Sequence, residues 1–219
     1  MDDVKSRVLD AARTLFLKQG YKKTTIRQIV EHSGVLIGSI YHFFENKEDV
    51  FRALALSVYD LSERYARERL AREAGPVYRC AVSGALMLSA VEEDERVAEL
   101  SFEAYNSTYI LGGLVEHMAR RAQEVFSPYN PGASHRDFCR RALAVSGVMR
   151  SMIAVRLMPP ATGLSLSLEE KIDTFLEAGL YAYGVPSEEI EAIKSRLRTD
   201  GALLREATRD LIAAYAAPV

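Results

Sequence analysis

Residues 24–51 read TTIRQIVEHSGVLIGSIYHFFENKEDVF, and the rest of the chain is organised around this stretch. Within 25–33, Ile26, Ile29 and Val30 fall on one side, the spacing of a short amphipathic helix. Thr24 is placed to cap it, because a threonine hydroxyl accepts from a free amide of the first turn. Ser33-Gly34-Val35 then interrupts the pattern, and glycine takes the left-handed turn after a helix end without a Cβ penalty. A second short helix follows over 36–43, with Ile40 and Phe44 turned inward. Two short helices joined by a glycine turn make a helix-turn-helix, whose second member has the size of a DNA major groove. Asn46 caps a further helix with Glu48 and Asp49 in its first turn, where acids complement the free amides.

These residues resemble the DNA-binding segment of the tetracycline-repressor (TetR) family of bacterial regulators. The resemblance rests on Thr24-Thr25-Ile26-Arg27, Ile29, Gly34-Val35, Gly38-Ser39-Ile40-Tyr41, Phe44, Lys47 and Val50-Phe51. The preceding segment fits as well, through Val8-Leu9, Ala11-Ala12, Leu15-Phe16 and Gly20-Tyr21. Together they span about residues 4–55, and beyond that the resemblance is architectural only. It implies an all-α protein with a helix-turn-helix domain over 1–50. A long helix then leads into a ligand-binding and dimerisation domain over 51–219.

Bulk properties agree with such a protein. Its 219 residues are 48% hydrophobic and 26% charged, ordinary values for a globular chain with a full core. The formal charge of −2 excludes a wholesale polyanion binder, so any nucleic-acid affinity is local. Lys5, Arg7, Arg13, Lys18, Lys22, Lys23 and Arg27 give residues 1–34 a small basic excess over Asp2, Asp3, Asp10 and Glu31. Cys80 and Cys139 have no metal-motif spacing and follow no secretory leader, so they read as reduced thiols of a cytoplasmic protein. No apolar run nears the ~20 residues of a membrane span.

The first helix covers about 3–19 and the fourth about 47–73, a single rod from head to body that Gly75-Pro76 stops. A fifth covers 77–91, and the sixth and seventh lie within 97–126. An eighth covers 136–158, and Ser167 with Glu170 forms a capping box for a ninth to about 183. Ser187 caps a tenth helix, and a last one follows Asp200-Gly201. On the eighth, Phe138, Ala142, Val145, Met149 and Met152 share one face, with Leu143, Gly147, Ala154 and Leu157 opposite. A helix apolar on two faces is buried on two faces. On the ninth, Leu168, Ile172, Leu176, Gly179 and Tyr183 form a stripe with a small residue for close approach. The family pairs its subunits through these two helices, which implies a homodimer through the eighth and ninth.

The resemblance also assigns contacts with an operator in double-stranded DNA. Thr25 and Arg27 would reach phosphates at the start of the second helix. Tyr41, His42 and Lys47 would donate to the backbone, while Leu36, Ile37, Gly38 and Ser39 lie at the base edges. Leu36-Ile37 departs from the family pattern of a small hydroxyl residue followed by a polar or variable one. Apolar side chains read thymine methyls and shape rather than donors and acceptors.

Tyr78, Met87, Phe102, Tyr105, Tyr109, Met118, Met149 and Met152 supply large or adaptable apolar side chains to the body. They are the candidate lining for a bulky apolar or amphipathic effector. Arg150, set among the apolar residues of the eighth helix, calls for an anion, either Asp173 or Glu177 of the ninth or an acidic group on the effector, unless its guanidinium snorkels to solvent. No cofactor or metal is expected. Two rival readings stand beside this one, a regulator of the same fold controlled by a protein partner, and an enzyme. The enzyme would have to use His117, His135, Cys139 or Glu103, none of which falls in a catalytic motif.

Overall fold

The computed structural model describes residues 2–70 and 74–216, and among them there is no strand: the protein is all-α. The head begins with α1 (Asp2–Gln19), which ends at Gly20 in the left-handed region. Next comes α2 (Ile26–Ser33), which is capped by Thr25, one residue later than expected. Thr25 and Gln28 form a reciprocal capping box, whereas the buried Thr24 donates its hydroxyl to Gly20 O at 2.9 Å and so closes α1 instead. Gly34, at φ +63°, ends α2 by donating its amide to Val30 O. The expected recognition helix, α3, is a single turn, Ile37–Ile40, shorter than the expected 36–43. The amides of Phe43 and Phe44 both return to Ile40 O and close it into a tight turn.

Asn46 caps α4 (Lys47–Tyr65) as expected, accepting from Asp49 N at 2.9 Å. The rod is not uniform, because residues Ala66–Leu70 form one turn of π-helix. The expected end near residue 73 lies outside the described residues. The head's small core is dense in rings: Phe16 meets Tyr21 and Phe51 edge-on, and Tyr21 stacks on Phe51 at 4.5 Å.

The body consists of α5 (Pro76–Glu93), α6 (Glu95–Asn106), α7 (Thr108–Phe126), α8 (His135–Leu157), α9 (Leu168–Ala182), α10 (Ser187–Thr199) and α11 (Gly201–Ala216). Its centre is α5, whose Val82, Ala85, Leu86 and Leu88 are almost fully buried. Around it stand α4, α6, α9 and α11. The predicted capping box of α9 is present, Ser167 with Glu170. Ser187 begins α10 rather than capping it; its Oγ accepts from Tyr181 OH at 2.9 Å.

Two expectations about α8 and α9 are corrected. The stripe of α9 that includes Gly179 faces inward, and a Cβ there would lie 3.5 Å from Val145. Gly179 therefore belongs to the core of its own chain. Arg150 is exposed and donates to Asn106 Oδ1 at 2.8 Å, with its guanidinium 5.6 Å from the Phe102 ring centre. Neither Asp173 nor Glu177 meets it, because α10 lies against that side of α9 and claims both. Lys194 pairs with Asp173 and Glu177, and Arg198 with Asp173 and Glu169. What α8 and α9 leave open is their other face, with Leu143, Ala144, Gly147, Ala178 and Tyr181 exposed.

Candidate nucleic-acid interface and effector cavity

The turn that carries α3 presents apolar side chains outward. Leu36 is 80% exposed, Ile37 56% and Tyr41 54%. Three large apolar side chains exposed together on one short turn make a patch of the kind that meets a partner. Gly38 and His42 are exposed beside them and Ser39 is half-buried. A Cβ on Gly38 would meet nothing within 4 Å, so this face stands clear of the protein. Beneath it, Ile40 and Phe44 are buried and fix the turn against α1. Thr25 and Arg27 are exposed at the front of α2, Arg27 paired with Glu31 one turn on at 3.0 Å.

Lys47 behaves differently from the expectation that it reaches outward to the DNA backbone. Its ammonium donates to Tyr21 O at 2.9 Å and Thr24 O at 2.7 Å, and sits 4.1 Å from the centre of the Tyr21 ring. Partial burial there pulls its pKa below the ordinary lysine value. Lys47 thus clamps the α1–α2 connection to the start of α4, because the carbonyls of Tyr21 and Thr24 both lie within hydrogen-bond reach of its ammonium. On the far end of α2, Arg7 does the same for Ser33 O at 2.7 Å.

In the body, a cavity of about 90 Å³ lies between α4, α5, α6, α7, α8 and α9. Four of the expected lining residues meet there: Met87, Tyr105, Met118 and Met149. Four do not. Tyr78 donates to Asp200 at 2.7 Å under the Arg196 guanidinium, tying α5 to the turn after α10. Tyr109 is exposed, bonded to Asp49 and packed on Arg52. Phe102 borders an open groove next to α1, and Met152 is buried away from the cavity.

Sequence reading missed Tyr59 of α4, Arg121 of α7 and Phe175 of α9, all on the cavity wall. No periodic signal separates them from ordinary core or surface positions. Tyr59 also borders a second void of about 50 Å³ beside Phe51 and Tyr215, so it stands between cavity and head. Burial, aided by nearby Glu63, raises the Tyr59 phenol well above its usual range and pushes the Cys80 thiol up to about 12. Both are neutral donors at ordinary pH. Arg121 is held at the cavity edge by Glu63 at 2.9 Å and Glu124 at 2.7 Å. The enzyme candidates do not converge on this space: His117 bonds Asp60 at 2.7 Å and Glu103 pairs with Lys22 at 2.6 Å.

Residues 8–54 match the family model described as bacterial regulatory proteins, tetR family. Curated relatives match over short segments. The HTH-type transcriptional repressor KstR2 of Rhodococcus jostii is 44% identical over 46 residues, 21% of this chain and 22% of that one. The HTH-type transcriptional regulator TtgR of Pseudomonas putida is 34% identical over 65 residues, 30% of this chain and 31% of that one. Residues 8–54 thus form a DNA-binding head of the tetR type.

The matches to these curated relatives span less than a third of their length. Solved structures extend the likeness to the whole fold. RolR in complex with resorcinol superposes with a TM-score of 0.62 at 20% identity, covering 89% of this chain and 94% of that one. TylP, a tetR regulator from Streptomyces fradiae, gives 0.57 at 14%, covering 94% and 98%. Proteins of the tetR family are transcriptional regulators and not enzymes. Among the described residues, no helix is long and apolar enough to cross a membrane.

Proposed function

We propose that this chain is a repressor which, as a homodimer in the cytoplasm, binds a palindromic operator and is released by a small apolar or amphipathic effector. The observation that carries the DNA half is the outward display of Leu36, Ile37 and Tyr41 on a turn locked by Gly34, Ile40 and Phe44. Leu36 and Ile37 touch thymine methyls, and Gly38 lets the backbone approach the base edges. Ser39 joins them at the base edges, while Tyr41, His42, Thr25 and Arg27 hold phosphates. Lys47 acts from behind, by fixing the loop that orients α2. The open face of α8 and α9, with Leu143, Gly147, Ala178 and Tyr181, supplies the subunit contact that sets the half-site spacing.

For the effector half, the support is the cavity and its position. An apolar void of roughly 150 Å³ accommodates a single benzene ring, so about 90 Å³ requires the lining to yield. Three methionines, which change rotamer readily, and the Phe175 ring provide that. Tyr59 lies on α4, whose other end grips the head through Lys47, and Ser62 of α4 bonds Ser83 of α5 at 2.8 Å. A molecule that displaces Tyr59 favours a different tilt of α4. Only unequal affinity for two tilts releases DNA. The cavity favours this reading over control by a protein partner alone.

The experiment is a binding titration on operator and random duplexes at several salt concentrations. Affinity falls steeply with salt for both. Ile37→Ala weakens the operator alone, by about tenfold or less. Ala178→Arg gives a monomer in sedimentation that no longer binds the operator, with its melting temperature little changed. Salt-independent binding, or equal loss on both duplexes for Ile37→Ala, overturns the reading.

A further inference from the structure

Away from both the cavity and the recognition turn, three different metal-ligating side chains meet at the outer edge of α7 and α8. Glu116 comes from α7. His135 and Cys139 are one turn apart on α8, so they project from the same side of that helix. Their ligand atoms all lie within 4.8 Å of one another. We propose that Glu116, His135 and Cys139 form a binding site for a divalent transition metal of the zinc class.

Geometry carries the proposal. Zinc bonds of about 2.0–2.1 Å to nitrogen and oxygen and 2.3 Å to sulfur, set tetrahedrally, place the ligand atoms roughly 3.3–3.6 Å apart. Here His135 Nε2 lies 3.2 Å from Glu116 Oε2, Cys139 Sγ lies 3.4 Å from His135 Nε2, and Sγ lies 3.7 Å from Oε2. These are close to the three edges of one tetrahedral face.

The surroundings supply the orienting contacts that metal ligands need. The other ring nitrogen, His135 Nδ1, is 3.1 Å from Gln123 Oε1. A side-chain carbonyl there accepts the Nδ1 proton and leaves the Nε2 lone pair for the metal. Both Glu116 oxygens lie 3.2 Å from His135 Nε2; Arg120 holds Oε1, at 2.9 Å from Nη2 and 3.0 Å from Nε, which leaves Oε2 for the metal. His135 is the first residue of α8, and the Ser134–Asp137 capping box just before it fixes the helix start. The carboxylate and imidazole remain partly exposed, which leaves an entry path and a fourth position for water. The thiolate selects a zinc-like ion over magnesium or calcium, and binding releases the thiol proton to solvent. The ion would clamp α7 to α8, on the helix whose His117 and Arg121 reach α4 through Asp60 and Glu63.

The test is titration of the reduced full-length protein with cobalt(II) alone. One equivalent per chain produces a thiolate-to-cobalt charge-transfer band, and zinc(II) abolishes it. Cys139→Ser removes the band and Cys80→Ser keeps it. His135→Gln and Glu116→Gln each weaken binding by at least about tenfold, and Gln123→Leu by about tenfold. Zinc also protects Cys139, and not Cys80, from alkylation in the unmutated chain, which holds the test even if a variant folds poorly. No charge-transfer band, a band that survives Cys139→Ser, or equal alkylation of Cys139 with and without zinc overturns the site.

Discussion

The head and the body of this protein are held by different kinds of interaction. In the head, backbone groups are pinned individually: Gly34 and Thr25 close the ends of α2, and Lys47 and Arg7 donate to carbonyls on either side of it. The three packed rings of Phe16, Tyr21 and Phe51 leave little play. In the body, adaptable side chains surround a void. Met87, Met118, Met149 and Phe175 face about 90 Å³ of unfilled space. The difference matches what each region does in the proposed function. A reading surface works when its geometry is preset, whereas a pocket that signals has to be able to change.

The comparison breaks most visibly if the head tolerates loss of a ring. Phe16 is 1% exposed, and Phe16→Ala should destabilise the protein by about 3–5 kcal/mol. Chemical denaturation should show it as a lower midpoint, with operator binding lost at temperatures the unaltered protein survives. A loss below about 1 kcal/mol would mean that the head has slack of its own.

A smaller effect separates two glycines. Gly34 sits at φ +63°, and an added Cβ would meet Arg7 Nη2 at 3.0 Å. Gly34→Ala should cost about 1–2 kcal/mol through the left-handed backbone and weaken DNA binding by misplacing α3. Gly84 in α5 has ordinary helical geometry, but an added Cβ would lie 2.2 Å from Phe175 Cε1. Overpacking of this kind usually costs about 1–3 kcal/mol. Here the ring has the cavity to move into, so Gly84→Ala should stay at the low end, about 1 kcal/mol. It should also fill the space, and calorimetry should show effector binding lost while operator binding persists. If Gly84→Ala proves costlier than Gly34→Ala, the body is the more rigid of the two.

The smallest effect concerns acid. Hydrogen bonds from the Ser167 hydroxyl and amide hold the Glu170 carboxyl below its usual range. A depressed carboxylate contributes stability that is present above its unfolded pKa of 4.5 and is lost as pH falls through the lower folded value. The melting temperature should therefore drop below about pH 4.5, with a slightly shallower drop for Ser167→Ala. An identical acid limb in the two proteins would remove this cap from the account.

What the sequence determined by itself is local. Gly34 between two amphipathic turns, Asn46 before Glu48 and Asp49, and Ser167 three residues before Glu170 each specify backbone hydrogen bonds within a few residues. Such signals survive without knowledge of the fold. The family resemblance of residues 4–55 is legible for the same reason, since most of its positions are caps, turns and core contacts inside one small unit. Which side of a helix faces what was decided only by the tertiary structure. Gly179 and Ala178 are neighbours on α9, and the packing of α8 puts the first inside and leaves the second open. Asp173 and Glu177 lie within reach of Arg150 on a two-helix view, but α10 approaches and its lysine and arginine take them. Lys47 reads as a DNA contact until the fold brings Tyr21 O and Thr24 O within 3 Å of it. Glu116 is 19 residues from His135, a spacing with no motif; antiparallel α7 and α8 bring them together. In each case the deciding interaction joins residues distant in the chain, and a period along one helix carries no information about its partner.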